Sequence, residues 1–123
     1  MSISNVITQL RTTDLDATID FYVSKLGLTL DFKFEDFYAG IKAGDQVFHL
    51  KLEDDKDPSI EFVSAGDHFH LYLTTEDVET LAKQCEKMGV VFLKEITETP
   101  WGTKEFSVAD DQGHVSVIGQ MQD

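Results

Sequence analysis

A chain of 123 residues, 41% hydrophobic and 27% charged, has the make-up of one soluble globular domain or of two half-domains sharing a core. With 23 acidic against 10 basic residues the net charge is −13, a surface that repels phosphate backbones, and no Lys/Arg cluster offers a local exception, so nucleic acid is excluded as a partner. No run approaches the roughly 20 apolar residues of a membrane span, and MSISNVITQL lacks the basic region and apolar core of a signal peptide. The single cysteine, Cys85, falls on an apolar helix stripe, as a buried thiol does in a reducing compartment. The expected setting is cytoplasmic, away from membranes.

In chain order, residues 5–12 read as a strand. Thr12-Thr13-Asp14 offers a helix cap, and Leu15, Ile19, Tyr22 and Leu26 draw an apolar stripe over a helix at 14–26, which Gly27 stops. Strands follow at 28–34 and 37–42, then a Gly44-Asp45 turn into 46–52. There Val47, His49 and Lys51 share one face, and Phe48, Leu50 and Leu52 the other. The polar stretch 54–59 reads as a linker, whereas Ile60–Val63 is apolar but too short to assign. His70-Leu71-Tyr72-Leu73 alternates as a half-buried strand does. Thr74 and Thr75 then offer capping hydroxyls, Glu76, Asp77 and Glu79 load the first turn, and Val78, Leu81, Cys85 and Met88 form the stripe of a second helix. Gly89 ends it. Strands near 91–95, 103–109 and 114–119 complete the chain, the last two joined by Asp110-Asp111-Gln112-Gly113 with glycine where positive φ is needed.

The strand–helix–strand unit occurs twice. Aligning the strands pairs Ile7 with His70 and Leu15 with Val78, an offset of 63; aligning the stops pairs Gly27 with Gly89, an offset of 62, so one helix carries a one-residue slip. Two copies suit a pseudo-symmetric domain rather than a solenoid. The expected fold class is α+β: one domain over 1–123, built from two βαβββ modules at about 1–53 and 67–120 that bury their apolar faces together or against another copy.

FYVSKLGLTLDF after a capped helix, HLYLTTEDVETLAKQCEKMGVVF, and TPWGTKEFSVADDQGHVSVIG together resemble the glyoxalase/bleomycin-resistance/extradiol-dioxygenase group, the vicinal oxygen chelate superfamily. The likeness covers nearly the whole chain, and its most specific part is the duplicated module with a PWG turn and a D-x-x-G hairpin, in which Asp111 replaces the usual proline. The resemblance implies paired βαβββ modules forming a curled mixed sheet around a cavity, often completed in a homodimer. It also implies a divalent metal held by one side chain from each of four strands. Carried over, those positions are Ile7, His49, His70 and Ser116, of which only the two histidines are acceptable ligands. A catalytic divalent site normally has three protein ligands, so no complete metal site is expected; if a metal binds, His49 and His70 hold it.

Around these positions other groups are candidates for ligand contact. His49 and His70 are placed towards the cavity by the resemblance, as a polar pair that orients a ligand or moves a proton. Tyr72 shares the face of His70 and suits a cavity wall, and Trp101, beside Gly102 in a turn, suits its mouth. Glu105 shares a face with Thr103 and Ser107; the alternate face (Lys104, Phe106 and Val108) is the more apolar, which turns Glu105 outward in the simpler reading and makes it a ligand partner in the other. His68, at the start of its strand, and His114, directly after a turn glycine, are expected to be solvated. No nucleophile elbow, P-loop, dinucleotide fingerprint or CxxC pair is present. The leading expectation is a small-molecule-binding homodimer without a metal cofactor. Its ligand, held in an aromatic-lined cleft by Ile7, His49, His70, Tyr72, Trp101, Glu105 and Ser116, is of the cationic kind that the acid excess suits. Two alternatives stay open: a divalent-metal-dependent lyase, isomerase or dioxygenase, and a structural or regulatory dimer with a vestigial cavity.

Overall fold

The structure, a computed structural model, describes residues 2–122. The first half runs β1 (Gln9–Thr12), α1 (Leu15–Asp20), β2 (Thr29–Phe34), β3 (Tyr38–Ala43) and β4 (Gln46–Leu52). A short helix, α2 (Ser59–Ala65), connects it to β5 (Leu71–Thr74), α3 (Val78–Lys87), β6 (Val91–Glu98), β7 (Thr103–Ala109) and β8 (Val115–Met121). Two four-stranded mixed sheets result, ordered β1-β4-β3-β2 and β5-β8-β7-β6. In each the first strand pairs in parallel with the last, and the remaining pairs are antiparallel. This is the α+β fold of paired βαβββ modules.

Both long helices start alike. Asp14 and Asp77 adopt extended backbone, and their carboxylates accept the amides of Ala17 and Thr80, each at 3.1 Å. Asp77 is therefore the cap of α3 rather than a first-turn residue, and Thr75 Oγ1 accepts the Asp77 amide instead. The slip between the two helices also has a location. Phe21–Lys25 continues α1 as a π-helical turn in which the Leu26 amide donates to the Phe21 carbonyl at 3.0 Å. A π-turn accommodates one extra residue without breaking the helix, which is the difference between offsets of 63 and 62.

Period-2 alternation sends Phe48 and Leu50 of β4, with Ala39 and Ile41 of β3, under α1, and Phe106, Val108 and Ile118 under α3. These side chains join Leu15, Tyr22, Val78, Ala82 and Cys85 in one continuous core. Tyr22 packs edge-on to Phe48 with ring centroids 5.1 Å apart, and Phe92 stacks on Phe106 at 5.3 Å.

Two expectations need revision, and one unassigned run finds its state. The first strand is shorter than 5–12: upstream of Gln9 the Thr8 carbonyl accepts the His49 amide, but the side chains there are exposed and no layer buries them. The run Ile60–Val63 is helical and buries only Ile60, leaving Phe62 80% exposed. The linker is shorter than 54–59, because Pro58 and Ser59 already begin α2. No helix among the described residues is long and apolar enough to cross a membrane.

Candidate ligand-binding site

The helices cover one face of each sheet and leave the other, inner face open. On β7 the fully buried Phe106 and Val108 fix the register, so Thr103, Glu105 and Ser107 must point to the inner face. Glu105 thus points away from the core, as the apolar alternate face implies. That direction is into a cavity of about 800 Å³ lined by Phe69, Tyr72, Leu93, Trp101, Glu105 and Val117, among others. Trp101 is 71% exposed at the rim, in the turn between β6 and β7.

Glu105 is held from two sides. Its Oε2 accepts the Tyr72 hydroxyl and, at 2.8 Å, the Thr103 hydroxyl; among the described residues nothing bonds Oε1. Burial, and then the neighbouring carboxylate, push the Tyr72 phenol above its ordinary pKa, so it stays a donor at neutral pH. Tyr72 reaches Glu105 by lying across β8 at Gly119, where a Cβ would stand 2.3 Å from the Tyr72 oxygen. The lining also includes Asp67, Glu98, Lys94 and His68, and the Lys94 ammonium is tied to Asp67 at 2.7 Å.

The inner face of the first sheet carries Gln9, Phe32, Tyr38 and His49. The Gln9 amide donates to the Tyr38 hydroxyl at 3.1 Å, and that hydroxyl shares a proton with His49 Nδ1 at 2.8 Å. The Phe32 ring lies edge-on to His49, over Gly40, where a Cβ would meet it at 2.3 Å. Among the described residues no layer covers this face, and Phe34 beside it is 57% exposed.

The other sequence candidates go elsewhere. His70 is bonded on both ring nitrogens: Nδ1 accepts the Val115 amide at 3.0 Å, so the proton sits on Nε2 and is offered to Ser59 Oγ at 3.1 Å. Burial, then the nearby His114, push its pKa below the usual imidazole value. Ser116 is 2% exposed and shares the core-facing side of β8 with Ile118, whereas Val115 and Val117 line the cavity. Register makes Val117 the counterpart of His49, since β1 pairs Gln9 with His49 and β5 pairs Tyr72 with Val117. Ile7 lies upstream of β1 and is 47% exposed. The structure thus gathers Tyr72, Trp101 and Glu105 around one cavity and leaves Ile7, His49, His70 and Ser116 out of its lining.

These residues do not make a fit for the divalent metal that the resemblance implies. His70 has no free lone pair, His49 stands on the other sheet, and Ile7 and Val117 carry no donor. Among the described residues no group of three or more His, Cys, Asp or Glu is placed to hold a metal ion.

His114, expected to be solvated, is fully buried. Asp110 Oδ1 accepts the amides of Gln112, Gly113 and His114, each at 2.9 Å, and its Oδ2 takes the Tyr22 hydroxyl and His114 Nδ1, each at 2.8 Å. Asp111, in the usual proline position, accepts the Thr18 hydroxyl at 2.8 Å. The β7–β8 turn thereby docks on the helix of the first half. The D-x-x-G-H spacing was a signal for the turn; nothing local announced its distant partners. His68, also expected at a solvated edge, lines the cavity.

A sequence profile of the Glyoxalase/Bleomycin resistance protein/Dioxygenase superfamily matches residues 5–118. Among solved structures, TioX from Micromonospora sp. ML1 is similar at 18% identity and a TM-score of 0.75, with 98% of each chain covered. Lactoylglutathione lyase from Agrobacterium tumefaciens is similar at 19% identity and a TM-score of 0.71, over 97% of this chain and 95% of that one. The bleomycin-binding protein of Streptomyces verticillus, in complex with copper(II)-bleomycin, is similar at 20% identity and a TM-score of 0.68, over 100% and 98%. No curated protein matches the chain significantly. At these identities the structural likeness speaks for the fold alone.

Proposed function

Because the chain belongs to the glyoxalase/bleomycin resistance protein/dioxygenase superfamily, we propose that it is a small-molecule-binding member working without a metal, whose ligand occupies the cavity on the inner face of the second sheet. The observation that carries this reading is the cavity itself. At about 800 Å³ it lies within the range of roughly 300–1,000 Å³ typical of ligand sites, with aromatic walls and a few convergent polar groups. That size also speaks against a vestigial cavity. The ligand is cationic: Glu105 offers Oε1, Phe69, Tyr72 and Trp101 line the same cavity, and the one lysine in the lining is already neutralised by Asp67. The bleomycin-binding relative, which holds copper(II)-bleomycin, is the nearer analogy in kind. Among the described residues the metal-dependent lyase, isomerase or dioxygenase alternative has no group of three or more His, Cys, Asp or Glu in its favour.

The same reading makes the protein a cytoplasmic homodimer of single-domain chains, each with modules at about 1–53 and 67–120. The uncovered face of the first sheet supplies Phe32, Phe34, Tyr38 and His49 with the basic Arg11, and the cavity rim is acidic through Glu98 and Glu105. A second copy laid across the cavity would bury both and bring His49 to the ligand. Cys85, buried and unpaired, is compatible with a reducing compartment.

The test uses two flat probes of nearly one size, 9-aminoacridine (a cation at pH 7.5) and acridine (neutral there), titrated against the fluorescence of Trp101, the sole tryptophan. The cation is expected to bind at least tenfold more tightly, with EDTA without effect, and Glu105→Gln is expected to erase the preference. Equal binding of both probes would defeat the cationic reading. Silence from both, or binding abolished by EDTA, would defeat the binding reading itself.

A further inference from the structure

We propose that His114 is a protonation-controlled clasp that holds α2, and through it one wall of the cavity, by a continuous path of side chains from the core to the rim. His114 has no exposed surface and stands between two carboxylates, Asp110 Oδ2 at 2.8 Å from Nδ1 and Asp57 Oδ2 at 3.4 Å from Nε2. Asp57 stands just ahead of Pro58, the residue that opens α2, and its other oxygen accepts the amide of Ser59, the first residue of that helix, at 2.9 Å. Ser59 Oγ meets His70, whose ring lies edge-on to His114 with centroids 4.9 Å apart. Otherwise α2 is thinly attached: it buries only Ile60, against Gly113. Its Ser64, and Asp67, His68 and Phe69 after it, line the cavity. What holds the first turn of α2 therefore holds that wall.

The groups facing the imidazole come from every surrounding segment: Asp57 from the linker, Asp110 from the end of β7, and His70 from the approach to β5. Tyr22 of the π-turn and Asp111 of the hairpin stand behind Asp110. Burial opposes a charge on His114, but the hydrogen bond and charge of Asp110, seconded by Asp57, outweigh it and raise the pKa. Burial likewise works against Asp57 and Asp110, yet their hydrogen bonds keep both below the usual carboxylate range. The signs agree. The histidine's contribution is fully present below the ordinary imidazole pKa and is lost as pH rises through the raised one; those of the carboxylates are present above their ordinary values and lost as pH falls through the lowered ones. On the alkaline side Nε2 becomes a lone pair facing the Asp57 carboxylate. The long, more exposed Asp57 contact opens there first, while Nδ1–H still serves Asp110.

The clasp does not depend on a ligand; only its consequence for affinity rests on the binding proposal above. Two measurements on the intact protein test it: an NMR titration of the His114 ring, and hydrogen exchange of α2 amides such as Gly66, corrected for intrinsic base catalysis. The ring is expected to titrate above an ordinary histidine. Opening of α2 is expected to increase about tenfold over the same pH range, while core amides of β4 do not change. In Asp57→Asn, which keeps an oxygen for the Ser59 amide, α2 opening should no longer follow pH. An α2 that opens equally at all pH values while His114 titrates would overturn the proposal, as would an unaltered pH dependence in Asp57→Asn. Neither result depends on whether a probe binds.

Discussion

In the first half of the molecule Gln9 reaches across β4 to bond Tyr38; in the second, the residues at the same register positions, Tyr72 and Glu105, reach each other across β8. The two links are the same cross-strand device with different chemistry. In the first half it runs past His49 on an aromatic face; in the second it passes over Gly119, so the phenol lies flat and the carboxylate faces an open cavity. Backbone frame and function are therefore separable here. Caps, glycine stops and core alternation repeat between the halves, whereas the inner-face residues have diverged. Only the second half combines a carboxylate with an aromatic-walled cavity.

The largest expected effect comes from the hairpins, where the halves differ most. Asp110→Ala removes the acceptor of three amides, Tyr22 and His114, and should lower stability by about 3–5 kcal/mol, as breaking a buried ionic network does. The first-half hairpin turns on the exposed Asp45, and Asp45→Ala should change stability by less than about 0.5 kcal/mol. Denaturant titration of both variants measures the contrast, and equal losses would break it. Next in size, Gly119→Ala should push Tyr72 off Glu105 and weaken 9-aminoacridine binding about tenfold while thermal stability falls by about 1 kcal/mol; unchanged affinity would remove the Tyr72–Glu105 pair from the site. Smallest are the shared caps. Asp14→Ala and Asp77→Ala should each lose about 1 kcal/mol, and a large inequality between them would show that the frame is less symmetric than the register implies.

Much of the frame was legible because it is written in local chemistry. Gly27 and Gly89 stop their helices at φ of 79° and 76°, Gly113 takes the positive φ its turn requires, and the one-residue slip between the repeats was visible, though its form, the π-turn at Phe21–Lys25, was not. Ile60–Val63 was undecided because its single buried residue leaves no periodicity to read. The site was less legible. Alternation gave the face of Glu105, but only the curl of an uncovered sheet turns that face into a cavity. His114 was misread because a residue after a turn glycine is ordinarily solvated. Its burial depends on Asp57 and Tyr22, which are 57 and 88 residues from their partners His114 and Asp110. Ser116 was the position carried over on the last strand, whereas β-pairing makes Val117 the counterpart of His49, a one-residue shift that reverses the side-chain direction.

On the proposed reading the ligand sits in the cavity of the second sheet and needs no metal. The most direct measurement is an NMR map of the protein titrated with 9-aminoacridine, once with EDTA and once with added zinc. Shifts centred on Phe69, Tyr72, Trp101 and Glu105 are expected, the same in both samples, with His70 unmoved. Shifts centred on His49 and His70 that require zinc and vanish with EDTA would contradict it.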